Sequence, residues 1–266
     1  MALTPEGPAS GVDLSKPPAR WELRLYGVAR ATVVGVSRAL WGLRVTGLEN
    51  VPAEGPYVVA PVHRSYVDTL VVAGITEHRL RYMGKDALWR NRVSGALLSA
   101  LGGFPVHRGI ADREALRRCE QVLASGEPVV LFPEGRRRTG PVVEDIYEGA
   151  PFVAARAAVP LVPVGIGGSE KAWAPGRRLP GRSRIWVVVG EPMLPPAASP
   201  GGRVPRSALR RFSEEVRSTL QDLFDQAQQL SEQSLGSGRG RPRLGRPGRR
   251  RPPFGRPGRT TSTSDG

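Results

Sequence analysis

Short apolar runs at residues 57–61, 80–83, 104–106, 129–132, 161–166 and 185–189 recur along the chain, with helical patterns between them. Runs this short and continuous read as strands buried on both faces. Their alternation with helices predicts an α/β fold: a central, largely parallel β-sheet flanked by helices, with active groups at strand ends. The clearest helix covers 112–125, where Ala115, Leu116, Cys119, Val122 and Leu123 share one face and Gly126 follows as a stop. That face places Cys119 in the core, as packing and not as a catalytic thiol. A second helix is expected over 206–230, with Leu209, Phe212, Val216, Leu220, Leu223 and Phe224 at helical spacing, closing the domain.

The flanking segments differ in kind. Residues 1–18 are rich in Pro, Gly and Ser, lack the apolar stretch of a signal peptide, and read as a flexible lead. Residues 19–44 are amphipathic. A spanning helix needs about 20 apolar residues, and this segment is cut by Glu22, Arg24, Arg30 and Arg38. Trp21, Leu25, Val28, Val36, Leu40 and Trp41, mixed with arginines that can snorkel, fit a helix lying in the headgroup region of a membrane. The same periodicity also fits a helix covering the sheet. A catalytic domain is expected over 45–232, followed at 233–266 by a disordered Arg/Gly/Pro-rich tail with too little apolar surface to repay ordering.

Charge and cysteine narrow the partners. The formal net charge is +15, and nine Arg against one Asp at 236–266 supply about half of it. The positive remainder suits an anionic membrane surface or a phosphorylated substrate. The tail could also attract nucleic acid by charge, although it offers only Phe254 for base stacking. The single cysteine rules out an intramolecular disulfide and favours a reducing cytoplasm.

Three polar blocks carry the candidate chemistry. The first is His63-Arg64-Ser65-Tyr66-Val67-Asp68, just after a strand. A neutral imidazole is the side chain suited to take a hydroxyl proton near pH 7. Five residues on a helix turn about 140° beyond a full turn, so His63 must precede the helix for Asp68 to reach it. Ser65 as N-cap and Asp68 as third helical residue would let the carboxylate face the imidazole and fix its tautomer. A Ser65 nucleophile is the weaker alternative, because no Gly-x-Ser-x-Gly elbow presents it. The second block, Gly102-Gly103-Phe104-Pro105-Val106-His107-Arg108, ends in a guanidinium suited to phosphate oxygens. The third, Phe132-Pro133-Glu134-Gly135-Arg136-Arg137-Arg138, leaves a strand through a tight turn.

In order and spacing these blocks resemble the 1-acylglycerol-3-phosphate acyltransferase family of glycerolipid acyltransferases, over roughly residues 45 to 195. The resemblance implies transfer of a fatty acyl group from acyl-CoA or acyl carrier protein to the free hydroxyl of 1-acylglycerol 3-phosphate, giving phosphatidate. It implies His63 as base and Asp68 as its partner without an acyl-enzyme, and Arg108 as a phosphate ligand. Glu134, Gly135 and Arg137 would line the acceptor site, with Arg137 on phosphate and Glu134 positioning that arginine or a substrate hydroxyl. Residues 159–164 resemble the family's apolar block, tied to donor binding or site shape, and equally read as a buried strand. The chain departs from the pattern at Val62, where Asn is common, at Arg136 and Arg138, where Thr and Ser are usual, and at Glu148, where Lys is common. A more cationic site leaves open another lysolipid or a glycolipid as acceptor.

No His or carboxylate pair has metal-ligand spacing, and no Walker loop or dinucleotide fingerprint is present. No metal or cofactor is therefore expected, the acyl donor being a substrate. The localisation that follows is peripheral, at the cytoplasmic face of the cell membrane. A basic RNA-binding or scaffold protein is the rival from another class.

Overall fold

The computed structural model describes residues 13–14, 16–106, 112–174, 176, 179–199 and 203–237. Seven strands form one sheet: β1 (Arg44–Thr46), β2 (Val58–Pro61), β3 (Arg81–Lys85), β4 (Gly103–Val106), β5 (Val129–Val130), β6 (Leu161–Gly167) and β7 (Trp186–Val189), in the order β1-β7-β6-β2-β5-β3-β4. Every pairing is parallel except β6 with β7. The helices are α1 (Arg20–Trp41), α2 (Asp68–Val71), α3 (Arg92–Ala100), α4 (Asp112–Ala124), α5 (Gly149–Ala157), α6 (Ser169–Ala172) and α7 (Arg206–Ser237). The expected α/β class is the one observed.

The central strands are apolar on both faces because both faces are covered. All of β2 and all of β6 are buried, and the block at 159–164 lies largely within β6, in the core of the sheet. Helix α7 lies closest. A Cβ built on Gly165 would fall 2.2 Å from the Leu223 carbonyl oxygen, and one on Gly167 would fall 2.1 Å from that of Ala227. Two glycines two apart on one face of β6 thus let the α7 backbone rest against the strand.

Several boundaries differ from the sequence reading. Strand β1 was not expected: its exposed Arg44 and Thr46 hide the strand signal, and pairing with β7 creates it. Helices α3 and α5 were also missed, being only nine residues each. Helix α7 runs to Ser237, so residues 233–237 are helical and not part of a disordered tail. In the lead segment, Leu14 is buried in the main core. Residues 238–266 lie outside the described residues.

Helix α1 packs on the domain by one face and leaves apolar residues exposed on the other. Its inner face is anchored: Arg30 Nε donates to the Ala73 and Thr76 carbonyls, the Tyr26 hydroxyl accepts the Leu80 N–H, and Trp41 Nε1 donates to the Gly181 carbonyl. Its outer face leaves Trp21, Val28, Val36 and Leu40 exposed. Trp41, expected among the outward residues, is buried because it sits beside the αL cap at Gly42 that turns the chain into β1. No helix among the described residues is long and apolar enough to cross a membrane.

Candidate active site

The site lies beyond the carboxyl ends of β6, β2 and β5, three neighbouring strands in the middle of the sheet. Parallel strands direct their C-terminal loops to the same edge, which is where such sheets bind ligands. β2 delivers His63, β5 delivers Phe132 to Arg138, and β6 delivers Ser169 to Trp173.

His63 Nδ1 lies 3.0 Å from Asp68 Oδ2. That oxygen also accepts the Arg64 and Ser65 backbone N–H groups, each at 2.6 Å. Asp68 is fully buried, and Oδ1 has no hydrogen-bond partner among the described residues. An ionised carboxylate only accepts, so the proton of this contact belongs to Nδ1 and the lone pair to Nε2. Among the described residues Nε2 has no partner, and the ring keeps 13% of its surface exposed. The imidazole is stacked on Phe132, with ring centroids 4.0 Å apart.

The carboxylate faces the imidazole as expected, but through a different local structure. Asp68 is the first residue of α2 and Val67 its N-cap. Ser65 is not the cap: its hydroxyl donates to the Trp173 carbonyl at 2.5 Å and accepts the Val67 N–H. Residues 64–67 form a turn folded around the Asp68 carboxylate. Ser65 is buried and occupied in that turn, which leaves it no role as a nucleophile.

Glu134 departs most from its expected role. It is fully buried and makes an ion pair with Arg64, itself buried, while Oε1 accepts the His63 backbone N–H. Arg64 also donates to the carbonyls of Gly140, Val142 and His63, and its guanidinium covers the Phe224 ring. Glu134 therefore touches neither Arg137 nor open solvent. The turn closed by Gly135 N–H to the Phe132 carbonyl carries residue 134, and the buried Arg64 from the loop after β2 holds its side chain inside the protein.

Gly135 sits at φ +65°, and a Cβ there would lie 2.7 Å from the Tyr147 ring. The Arg138 N–H donates to the His63 carbonyl at 2.8 Å, tying this loop to the histidine. Arg137 is exposed, with its guanidinium 4.0 Å over the Tyr66 ring. Of the two arginines that replace the usual Thr and Ser, Arg138 is paired with Glu144 and Arg136 is exposed. Glu148 is exposed at the start of α5. Arg108 lies outside the described residues.

Arg64, Phe132, Tyr66 and Trp173 were not assigned roles from sequence. The first three stand inside the polar blocks, where adjacency to His63 or Glu134 was a usable signal. Trp173 had none, because it is brought to the site only by the return of β6.

The acyltransferase family model matches residues 42–167, which include β2, β5, β6 and the loops after β2 and β5, but not Ser169 to Trp173. A 1-acyl-sn-glycerol-3-phosphate acyltransferase of Bacillus subtilis is 30% identical over 153 residues, covering 57% of this chain and 74% of the relative. The chain belongs to the acyltransferase family. This acyltransferase is also 26% identical to a chloroplastic 1-acyl-sn-glycerol-3-phosphate acyltransferase of Brassica napus, over 56% of the chain but only 44% of that longer relative. Its fold is similar to the crystal structure of the 1-acyl-sn-glycerophosphate acyltransferase PlsC from Thermotoga maritima, with a TM-score of 0.62 at 22% identity, over 76% of this chain and 80% of the other.

Proposed function

We propose that this acyltransferase transfers a fatty acyl group from acyl-CoA or acyl carrier protein to the free hydroxyl of 1-acylglycerol 3-phosphate, giving phosphatidate. The observation that carries this reading is the His63–Asp68 contact at 3.0 Å, with Nε2 unpartnered among the described residues and an exposed guanidinium at Arg137 over the ring of Tyr66, in the His63 loop. Nε2 accepts the hydroxyl proton as the oxygen attacks the thioester carbonyl. The C–S bond then breaks, the acyl group stays on oxygen, and the thiolate recovers the proton from the imidazolium. Asp68 holds the tautomer and offsets the transient positive charge. The thioester supplies the driving force, so the reaction is written without metal or cofactor.

Arg137 is assigned to the acceptor phosphate, and Arg108 joins it on the strength of the motif alone. A phosphate so held fixes the hydroxyl against the carbonyl, and such positioning contributes several kcal/mol of the roughly 7–11 available from proximity. Glu134 acts indirectly, by holding the His63 backbone.

Helix α1 supports a place of action at a membrane surface. Its exposed Trp21, Val28, Val36 and Leu40 are accompanied by Arg20, Arg24 and Arg38, also exposed, a combination suited to an anionic lipid surface. We place the enzyme peripherally on the cytoplasmic face of the cell membrane, where its lipid acceptor resides.

The test is purified protein in lipid micelles with labelled acyl-CoA, offered lysophosphatidate or the uncharged 1-acylglycerol. Phosphatidate formation that disappears in His63→Ala is expected. Preference for the uncharged acceptor would overturn the phosphate assignment.

A further inference from the structure

Between His63 and Asp68, one side chain behaves unlike its neighbours. Arg64, Ser65, Val67 and Asp68 are at most 1% exposed, whereas Tyr66 is 45% exposed. A tight turn that buries four residues and leaves an aromatic ring at its surface gains little packing from that ring. The ring is nevertheless held from two sides. Trp173 meets it edge-on, with centroids 6.3 Å apart at 61°, and the Ser65 hydroxyl ties the turn to the Trp173 carbonyl at 2.5 Å. The Arg137 guanidinium lies over it at 4.0 Å.

The way Arg137 is held matters for anion binding. A guanidinium paired with a carboxylate has its N–H fork occupied and its charge offset. One held over an aromatic ring by cation–π attraction spends none of its N–H donors on the ring's edge atoms, which leaves them for a phosphate. Among the described residues Arg137 has no carboxylate partner, in contrast with Arg138, paired with Glu144, and Arg64, paired with Glu134. An exposed arginine with nothing beneath it must also give up rotamer freedom when it binds.

We infer that Tyr66 is a positioning residue for acceptor selection: its ring, braced by Trp173, pre-orders Arg137 as a phosphate ligand beside His63. This rests on the proposed acylation of a phosphorylated lysolipid. The turn thereby couples two tasks, since its buried carboxylate orders the base and its exposed ring orders the anion clamp. Tyr66 touches neither the reacting hydroxyl nor the thioester in this assignment.

The experiment measures kcat and KM for lysophosphatidate at saturating acyl-CoA, and for acyl-CoA at saturating lysophosphatidate, in wild type, Tyr66→Phe, Tyr66→Leu and Tyr66→Ala. Phe keeps the ring face and Leu keeps bulk without it. The expected result is a KM for lysophosphatidate raised about 3- to 30-fold in the Leu and Ala variants, with Phe within about twofold of wild type and kcat little changed. In an Arg137→Met background, Tyr66→Leu should add no more than about a twofold effect, because the two residues act as one unit.

An unchanged KM in the Leu and Ala variants, beside a wild type that makes phosphatidate, overturns the role of Tyr66 alone. A rise confined to the KM for acyl-CoA also overturns it, by assigning the guanidinium to the donor's phosphates. Phe failing as badly as Leu does so too, by assigning the effect to the hydroxyl. A wild type that acylates only uncharged acceptors overturns the acceptor assignment, and the role of Tyr66 falls with it. Melting temperatures of all variants separate these effects from misfolding, and the exposed position makes a large loss of stability unexpected.

Discussion

The Arg64 guanidinium and the Glu134 carboxylate meet beneath the histidine loop, both closed off from solvent. One follows β2 and the other follows β5, so the pair joins the two loops that build the site. Removing one member leaves a buried charge without its partner, which costs about 3–5 kcal/mol. Glu134→Ala and Arg64→Ala should each lower the urea midpoint accordingly. The double variant Arg64→Met with Glu134→Leu should lose much less than the sum. Activity should fall in Glu134→Ala even below its melting temperature, because the His63 N–H loses its acceptor.

Asp68 offers a cleaner separation of charge from structure. Among the described residues its Oδ2 accepts three contacts and its Oδ1 none. In Asp68→Asn, the amide nitrogen can take the unpartnered position and the remaining oxygen can keep the backbone donors. The fold should survive, as read by circular dichroism and melting temperature. Acyl transfer should fall by roughly 10²-fold or more, approaching the loss in His63→Ala, which removes the about 10²- to 10⁴-fold contribution of the base.

The glycines of β6 and α1 should respond oppositely to alanine. Gly165→Ala and Gly167→Ala drive a methyl into α7 backbone and should destabilise by about 1–3 kcal/mol or more. Gly27→Ala and Gly35→Ala in α1 meet nothing within 4 Å and should stabilise by about 0.4–1 kcal/mol. Thermal denaturation of the four variants checks both signs.

Cys119 is buried in α4 against Met83, and burial, with a smaller push from Glu120, raises its thiol pKa to about 12. The ionised, reactive form is therefore scarce throughout the neutral range. Iodoacetamide at pH 7.5 should leave the folded protein unlabelled and fully active, while labelling should follow unfolding in urea. Labelling of the native enzyme with loss of activity would show that the thiol is accessible and that α4 opens.

For α1, Trp21→Asp and Val28→Asp place charge on the outward face without touching the inner anchors. Sedimentation with anionic vesicles should weaken in both variants, while turnover of a micelle-dispersed acceptor is retained. Equal loss of both readouts would mean that α1 supports the catalytic fold and not its attachment.

Much of this was legible along the chain. Continuous apolar runs announce strands buried on both faces, and an imidazole five residues before a carboxylate at a strand exit lets the two side chains meet. These are local signals, carried by residues near one another in sequence. Strand β1 escaped notice because its exposed Arg44 and Thr46 contribute no apolar pattern, and its pairing is with a strand far along the chain. Helix α5 has a weak stripe because most of its faces are covered.

The role of Glu134 shows where local reading ends. Its position after Pro133 identifies a turn, but the direction of its side chain depends on Arg64 arriving from another strand. The same holds for Tyr66, Trp173 and Arg137, contributed by loops after β2, β6 and β5. Most of the secondary structure, its burial pattern and the His63–Asp68 pairing follow from short-range backbone and hydrophobic constraints written into consecutive residues. The partner of each charged side chain depends on strand order, which brings distant loops to one edge of the sheet and lets burial exclude water from some pairs and not others.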